Sequence, residues 1–324
     1  MTENKKRWII YFTLLAMMVS LASCGSGGES AGGDKRTIKI GYLPITHAAP
    51  LYIAHEHAEL GHGEFSNFHL ELVKFGSWPD LMDALNAGQI DGASVLVQLA
   101  MQAKEQNIAL KAVALGHRDG NVIVTSHDIH DVTDLKQKHF AIPHKFSTHN
   151  ILLYQMLKQS DIPYEDLHVV ELPPAEMPAA LAEGRIAGYA VAEPFGAMSV
   201  VLEKGKPFFQ SAELWKGSIC CVLVLREELI EKEREAVEEF VANYVAAGEK
   251  AETKDEHIRS ILSKYMDIDD DVLDVSLQWI AYDDLELDEA SYEELRGYLT
   301  EMELSEKPPT YEEFVDRTLL DEVK

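Results

Sequence analysis

Hydrophobic positions along this chain switch repeatedly between a two-residue and a helical period. Thr37 to Leu43 (TIKIGYL) alternates as a half-buried strand does, and Ala48 to Glu59 then follows helical spacing, so the pair predicts a βα unit. The same reading continues with a strand over His69 to Phe75 and a helix over Asp80 to Ala87 that Gly88 stops. Asp91 to Val95 is then a strand and Val97 to Glu105 a helix, with short strands at Ala109 to Leu115 and Asn121 to Ser126. A second series follows: strand His139 to Pro143, helix Thr148 to Gln159, strand His168 to Leu172, helix Glu176 to Glu183 ended by Gly184, and strand Gly188 to Ala192. The stretches AGQIDGASV and EGRIAGYAV occupy equivalent places in the two series, which predicts two similar lobes of α/β type. Beyond Leu223 the pattern is helical, over Glu227 to Glu252, His257 to Tyr265, Asp271 to Tyr282, Ser291 to Met302 and Tyr311 to Leu320. A chain that leaves the first lobe near Thr125 and returns near Cys221 divides into 36–126 plus 220–324 as lobe I and 127–219 as lobe II.

The N-terminus has a different logic. Lys5, Lys6 and Arg7 precede the apolar run Trp8 to Leu21, which has the form of a signal peptide and is short for a membrane span. The four residues Leu21-Ala22-Ser23-Cys24 resemble the lipobox of bacterial lipoproteins. That resemblance implies cleavage of residues 1–23, lipidation of Cys24 and a lipid anchor on the extracytoplasmic face of the cell membrane. Residues 24–35 are Gly/Ser-rich and read as a flexible linker.

Charge narrows the choice of partners. The chain of 324 residues carries 55 acidic and 29 basic side chains, a net charge of −26, which disfavours nucleic acid, since that needs a basic face. A 46% hydrophobic content supplies a globular core. Three cysteines are too few for a disulfide scaffold; with Cys24 assigned to the anchor, Cys220 and Cys221 in ICCVLVL read as small buried hydrophobes.

Four segments taken in order, GYLPITHAAPLYIAHE, FGSWPDLMDALNAGQIDGASV, AIPHKFSTHNILL and LPPAEMPAALAEGRIAGYAVAEPFGA, resemble the motifs of the nitrate/sulfonate/bicarbonate/thiamine-precursor class of solute-binding proteins that serve ABC importers. The likeness runs over roughly residues 37–225 and is loose in the helical tail. It implies an α/β, two-lobed periplasmic-binding-protein fold of type II, with mixed sheets flanked by helices and a helical C-terminal tail. It further implies a monomer that binds a small solute such as an oxyanion, a sulfonate or a pyrimidine-like molecule, and delivers it to an ABC permease and its ATPase without catalysis or a cofactor.

The residues themselves give a compatible site. Ligands of open α/β sheets lie beyond the carboxyl ends of the strands, and those ends carry Thr46, His47, Trp78, Ser94, Ser147, Thr148, His149 and Glu193. Several have structural readings beside the functional one. Ser147 and Thr148 suit a helix cap, His47 suits another, Trp78 suits a lid over the core, and Glu193, which would repel an anion, suits hinge hydrogen bonds. His55, His57, His62 and His69 fall close together, but lack zinc-motif spacing and read as a solvated face, with no metal site expected. A zinc receptor and a pyrimidine-synthesis enzyme of the same fold stand as the alternative functions.

Overall fold

Strand β1 (Arg36–Tyr42) runs parallel to β2 (Phe68–Lys74) on one side and to β3 (Gly92–Leu96) on the other, with helices α1 (Ala49–Glu59) and α2 (Trp78–Asn86) in the connections. Helix α3 (Val97–Glu105) leads to β4 (Leu110–Leu115), which closes a five-stranded sheet of order β2-β1-β3-β11-β4. The computed structural model describes residues 35–59 and 65–321. The signal segment 1–23, Cys24, the linker as far as residue 34, and His62 lie outside the described residues. From Arg36 onward the chain packs as one compact unit.

The two-residue β5 (Arg118–Asp119) follows, and then β6 (Asn121–Thr125) enters a second sheet. That sheet is built from β7 (His139–Ile142), α4 (Thr148–Gln159), β8 (His168–Glu171), α5 (Met177–Ala182), β9 (Gly188–Ala192), α6 (Phe195–Val201) and β10 (Lys206–Gln210), in strand order β10-β6-β9-β7-β8. Helix α7 (Ser211–Leu214) precedes the return to the first sheet through β11 (Cys221–Arg226). The sheets share one plan: three parallel strands, then one antiparallel strand supplied from the other side of a crossing, β11 in the first and β6 in the second. The equivalent glycines Gly88 and Gly184, at φ +70° and +69°, end α2 and α5 in the left-handed conformation that a helix stop favours.

Residues 121–125, read from the sequence with the first lobe, pair instead in the second sheet, so the outward crossing falls at 116–120 rather than at 126. Periodicity identifies a strand but not its partner. The run VLVL of β11 is apolar on both faces because both are buried: the strand is central in its sheet, between β3 and β4, and its residues from Cys221 to Leu225 are wholly buried.

After α8 (Glu227–Lys232) come α9 (Arg234–Thr253), α10 (Glu256–Met266) and α11 (Asp270–Ser276). Helices α9 and α10 pack on α1, while α11 reaches α6 of the second sheet. The helix expected through Tyr282 stops at Ser276, because Ile280–Ala281 forms β12 and pairs with β5 on the outward crossing. Helix α12 (Glu289–Glu301) follows. The last expected helix splits into α13 (Tyr311–Phe314) and α14 (Thr318–Asp321) where Val315 bridges to Ala112.

Candidate functional site

The turn after β1 is held by one side chain: the Tyr52 hydroxyl donates to the Leu43 carbonyl at 2.9 Å and accepts from the Ile45 amide at 3.2 Å. This fixes Thr46 and His47 between the sheets. The Thr46 amide and hydroxyl both donate to the Glu193 carbonyl, at 2.9 and 3.1 Å, joining the end of β1 to the end of β9. A second tie links α3 to α4: Gln98 Nε2 donates to Thr148 Oγ1 at 2.7 Å, and that hydroxyl donates to the Ile219 carbonyl at 2.8 Å. All of these side chains are buried, so the seam between the sheets is closed over them.

Four further side chains converge there. His47 stacks on His117 with ring centroids 3.5 Å apart. Its Nε2 meets the Gly120 carbonyl at 3.1 Å and must therefore carry the proton, which leaves the Nδ1 lone pair facing Cys221 Sγ at 3.5 Å. The sulfurs of Cys220 and Cys221 lie 4.0 Å apart, and one donor atom from each of His47, His117, Cys220 and Cys221 falls within 4.8 Å of all the others. The left-handed turn at Gly120 (φ +73°) and the absence of a side chain at Gly116 bring the crossing this close: a Cβ at Gly116 would meet the His47 carbonyl at 2.5 Å.

Burial lowers His117 to about 4 and His149 to about 4, so both rings are neutral. Burial alone would raise the Cys220 thiol, but hydrogen bonding from Cys221, the nearby His149, and contacts with His117 and His47 outweigh it and hold that thiol well below its ordinary value. Burial raises Cys221. The seam thus offers the neutral imidazoles of His117 and His149 and one favoured thiolate.

Around it lie buried polar atoms without hydrogen-bond partners: both nitrogens of His149, Nδ1 of His117, Oε1 of Gln98, and both side-chain atoms of Asn121. Buried polar groups are ordinarily paired. These six atoms belong to four side chains of one seam.

The sequence-predicted residues divide accordingly. Thr46, His47, Thr148, His149 and the Glu193 backbone meet at the seam. The Glu193 carboxylate turns away to accept from the Ala197 amide at 2.8 Å, at the start of α6. Ser147 caps α4, accepting from the Asn150 amide at 3.1 Å. Ser94 is buried on β3 opposite Leu223. Trp78 is buried at the first position of α2 and lines a separate cavity of about 110 Å³ with Met82, Leu99, Gln102 and His144. His55 and His57 bond to Tyr265 and Lys250 respectively, and His69 is exposed on β2. Sequence reasoning missed His117, Gln98, Asn121 and the joint role of the two cysteines, which it treated as plain hydrophobes. The available signal was an adjacent thiol pair at a strand start on the returning crossing.

A model of the NMT1-like family matches residues 31–264. The structure superimposes on the ligand-binding component of an ABC-type import system from Staphylococcus aureus, a structure with zinc bound. That protein is 42% identical, with 90% of this chain and 99% of that one covered at a TM-score of 0.85. The periplasmic nitrate-binding protein NrtA from Synechocystis PCC 6803, 20% identical, matches over 90% and 88% of the two chains with TM-score 0.74 and shares the fold, that of type II periplasmic binding proteins. In sequence the chain is 30% identical over 220 residues to the bicarbonate transport ATP-binding protein CmpC of Synechocystis sp., a match over 61% of this chain and 32% of that one. The chain spans about a third of the length of such curated relatives.

Proposed function

We propose that this chain, which belongs to the NMT1-like family, is the solute-binding component of an ABC importer, holding a small solute at the seam between its two sheets and presenting it to a permease and its ATPase. The observation that carries this reading is the ring of unpartnered buried polar atoms on Gln98, His117, Asn121 and His149, drawn from both sides of the seam. Relatives named for bicarbonate, nitrate and sulfonate transport, and a neighbour with zinc bound, support a transport role. The reading includes the lipoprotein signal over residues 1–23, lipid anchoring through Cys24, residence on the extracytoplasmic face, and a monomer.

The two sheets act as the cores of two lobes, joined by the crossings at 116–120 and 211–220. A solute touching Thr46 and His47 on one side and Thr148 and His149 on the other favours the closed form by the contacts it makes only there. The Thr46–Glu193 and Gln98–Thr148 bonds latch the same form. No bond in the solute needs to break, so binding without turnover is the role assigned. The chemistry of the seam also bears on the cargo. Among the described residues no lysine or arginine is buried, so an anion would meet only neutral donors there.

The test is a thermal-shift panel on the chain from Cys24 onward, with nitrate, bicarbonate, methanesulfonate, a pyrimidine and divalent metal ions. A saturable rise in Tm with one class is expected, since a ligand that binds only the folded form stabilises it by mass action. A flat response to every member would sink the reading.

A further inference from the structure

Two histidines and two cysteines from three separate segments meet at this seam: His47 after β1, His117 on the outward crossing, and Cys220 with Cys221 on the return. We infer that these four side chains bind one divalent cation of the zinc type, with His149 approaching from α4 of the second sheet. The inference rests on the solute-binding reading and gives that site its cargo.

The distances fit one ion. Metal–sulfur bonds of about 2.3 Å and metal–nitrogen bonds of about 2.0–2.1 Å give a tetrahedral site sulfur–sulfur edges of about 3.8 Å and nitrogen–sulfur edges of about 3.5 Å. The corresponding separations are 4.0 Å between Cys220 and Cys221 and 3.5 Å between His47 Nδ1 and Cys221 Sγ. The surrounding bonds also prepare a ligand. Gly120 fixes the His47 tautomer by accepting from Nε2, the arrangement by which a carbonyl orients a metal-binding imidazole through its other nitrogen. His117 keeps its Nδ1 without a hydrogen-bond partner, and its Nε2 lies 3.4 Å from the Cys221 amide nitrogen.

Charge selects a divalent ion. The pocket is buried and holds no cationic side chain among the described residues, so the bound group must be close to neutral overall. Two thiolates cancel one divalent cation, whereas a monovalent ion would leave a buried negative charge. Binding releases to solvent whatever protons the two thiols still carry, and the imidazoles bind as neutral bases. Imidazole with thiolate in a four-ligand set matches zinc rather than calcium or magnesium, which take oxygen donors. His149 has neither ring nitrogen satisfied and lies within electrostatic reach of Cys220. It is the donor through which the second sheet feels the ion, so that binding favours closure.

The experiment uses the chain from Cys24 onward, chelator-washed and kept reduced with a phosphine. One equivalent of Zn²⁺ is expected to bind and to raise Tm. Co²⁺ in its place is expected to give a near-ultraviolet sulfur-to-cobalt charge-transfer band. The paired change Cys220→Ser with Cys221→Ser should abolish the band and weaken zinc at least a hundredfold, while circular dichroism shows the chain folded. His149→Ala should keep the band and weaken zinc about tenfold. A cobalt complex without the band, or zinc affinity unchanged in the double serine variant, overturns the inference. Should Zn²⁺ leave Tm unmoved while nitrate or methanesulfonate raises it, the metal site falls and the importer reading stands. Should the ion resist removal short of unfolding, it is structural, and its assignment as cargo is overturned.

Discussion

Glu193 sits at 2% exposure with its carboxylate on the first amides of α6, and burial raises its pKa to about 7. A raised carboxyl is bound more tightly by protons in the folded chain than in the unfolded one. Its contribution is therefore neutral below about pH 4.5, costs stability progressively as pH rises toward 7, and is constant above that. The full cost is about 3 kcal/mol. Glu193→Gln should remove this slope, making the variant more stable than the parent at pH 8 and nearly equal to it at pH 4.5 by chemical denaturation. Parallel curves would show that the carboxyl is not titrating in the fold. Trp78 offers a second test at this scale. At 1% exposure it packs in the core, so Trp78→Ala should destabilise by about 3–5 kcal/mol, as emptied aromatic sites do, whatever it does to binding. Gly120 and Gly184 are a matched pair, both with positive φ. A Cβ at Gly120 would strike Ile280 at 2.7 Å, whereas nothing lies within 4 Å at Gly184. Gly184→Ala should cost about 1 kcal/mol from backbone strain alone, and Gly120→Ala clearly more, read as the difference in Tm.

At the scale of elements, α4 connects a visible pattern to a hidden site. Its boundaries, Thr148 to Gln159, follow from the sequence because Ser147 is a strong N-cap and the apolar spacing is regular. Its function does not follow, because the same helix turns Thr148 toward Gln98 and Ile219 and leaves His149 unpartnered. Ser147→Ala should cost about 1 kcal/mol in denaturant unfolding, with binding little altered. Thr148→Val should do the reverse in emphasis, keeping the helix while removing the latch, and so weaken solute affinity more than stability. Equal effects on both measurements would remove the latch from the account. The repeated turns AGQIDGASV and EGRIAGYAV were legible for local reasons: each joins a helix, a left-handed glycine and a buried strand, and each unit is complete within a short span. The short strands β5 and β12 were not, because two residues carry no period and exist only through each other.

Across the whole molecule the chain passes twice between the sheets, and the tail is fastened to the first passage. Tyr282 donates to the Thr46 carbonyl at 2.9 Å, and Arg118 on that crossing pairs with Asp284 and Asp288 at 3.1 Å. Hydrogen exchange should reflect this plan: β11, enclosed by two strands and wholly buried, is expected to exchange slowest, and the sheet-edge strands β8 and β10 faster. Added zinc should slow exchange at 116–120 and around 219–221 together; protection at one crossing alone would argue against a single ion spanning both. The sequence by itself determined the α/β alternation, the repeat of one unit, the acidic character and the family likeness, since periodicity, turn residues and composition are properties of neighbours along the chain. Only the tertiary structure decided that 121–125 belongs to the second sheet and that His47, His117, Cys220 and Cys221 share one pocket. Strand pairing and ligand convergence depend on residues as much as 174 positions apart, and no local pattern records which distant partner a buried side chain will meet.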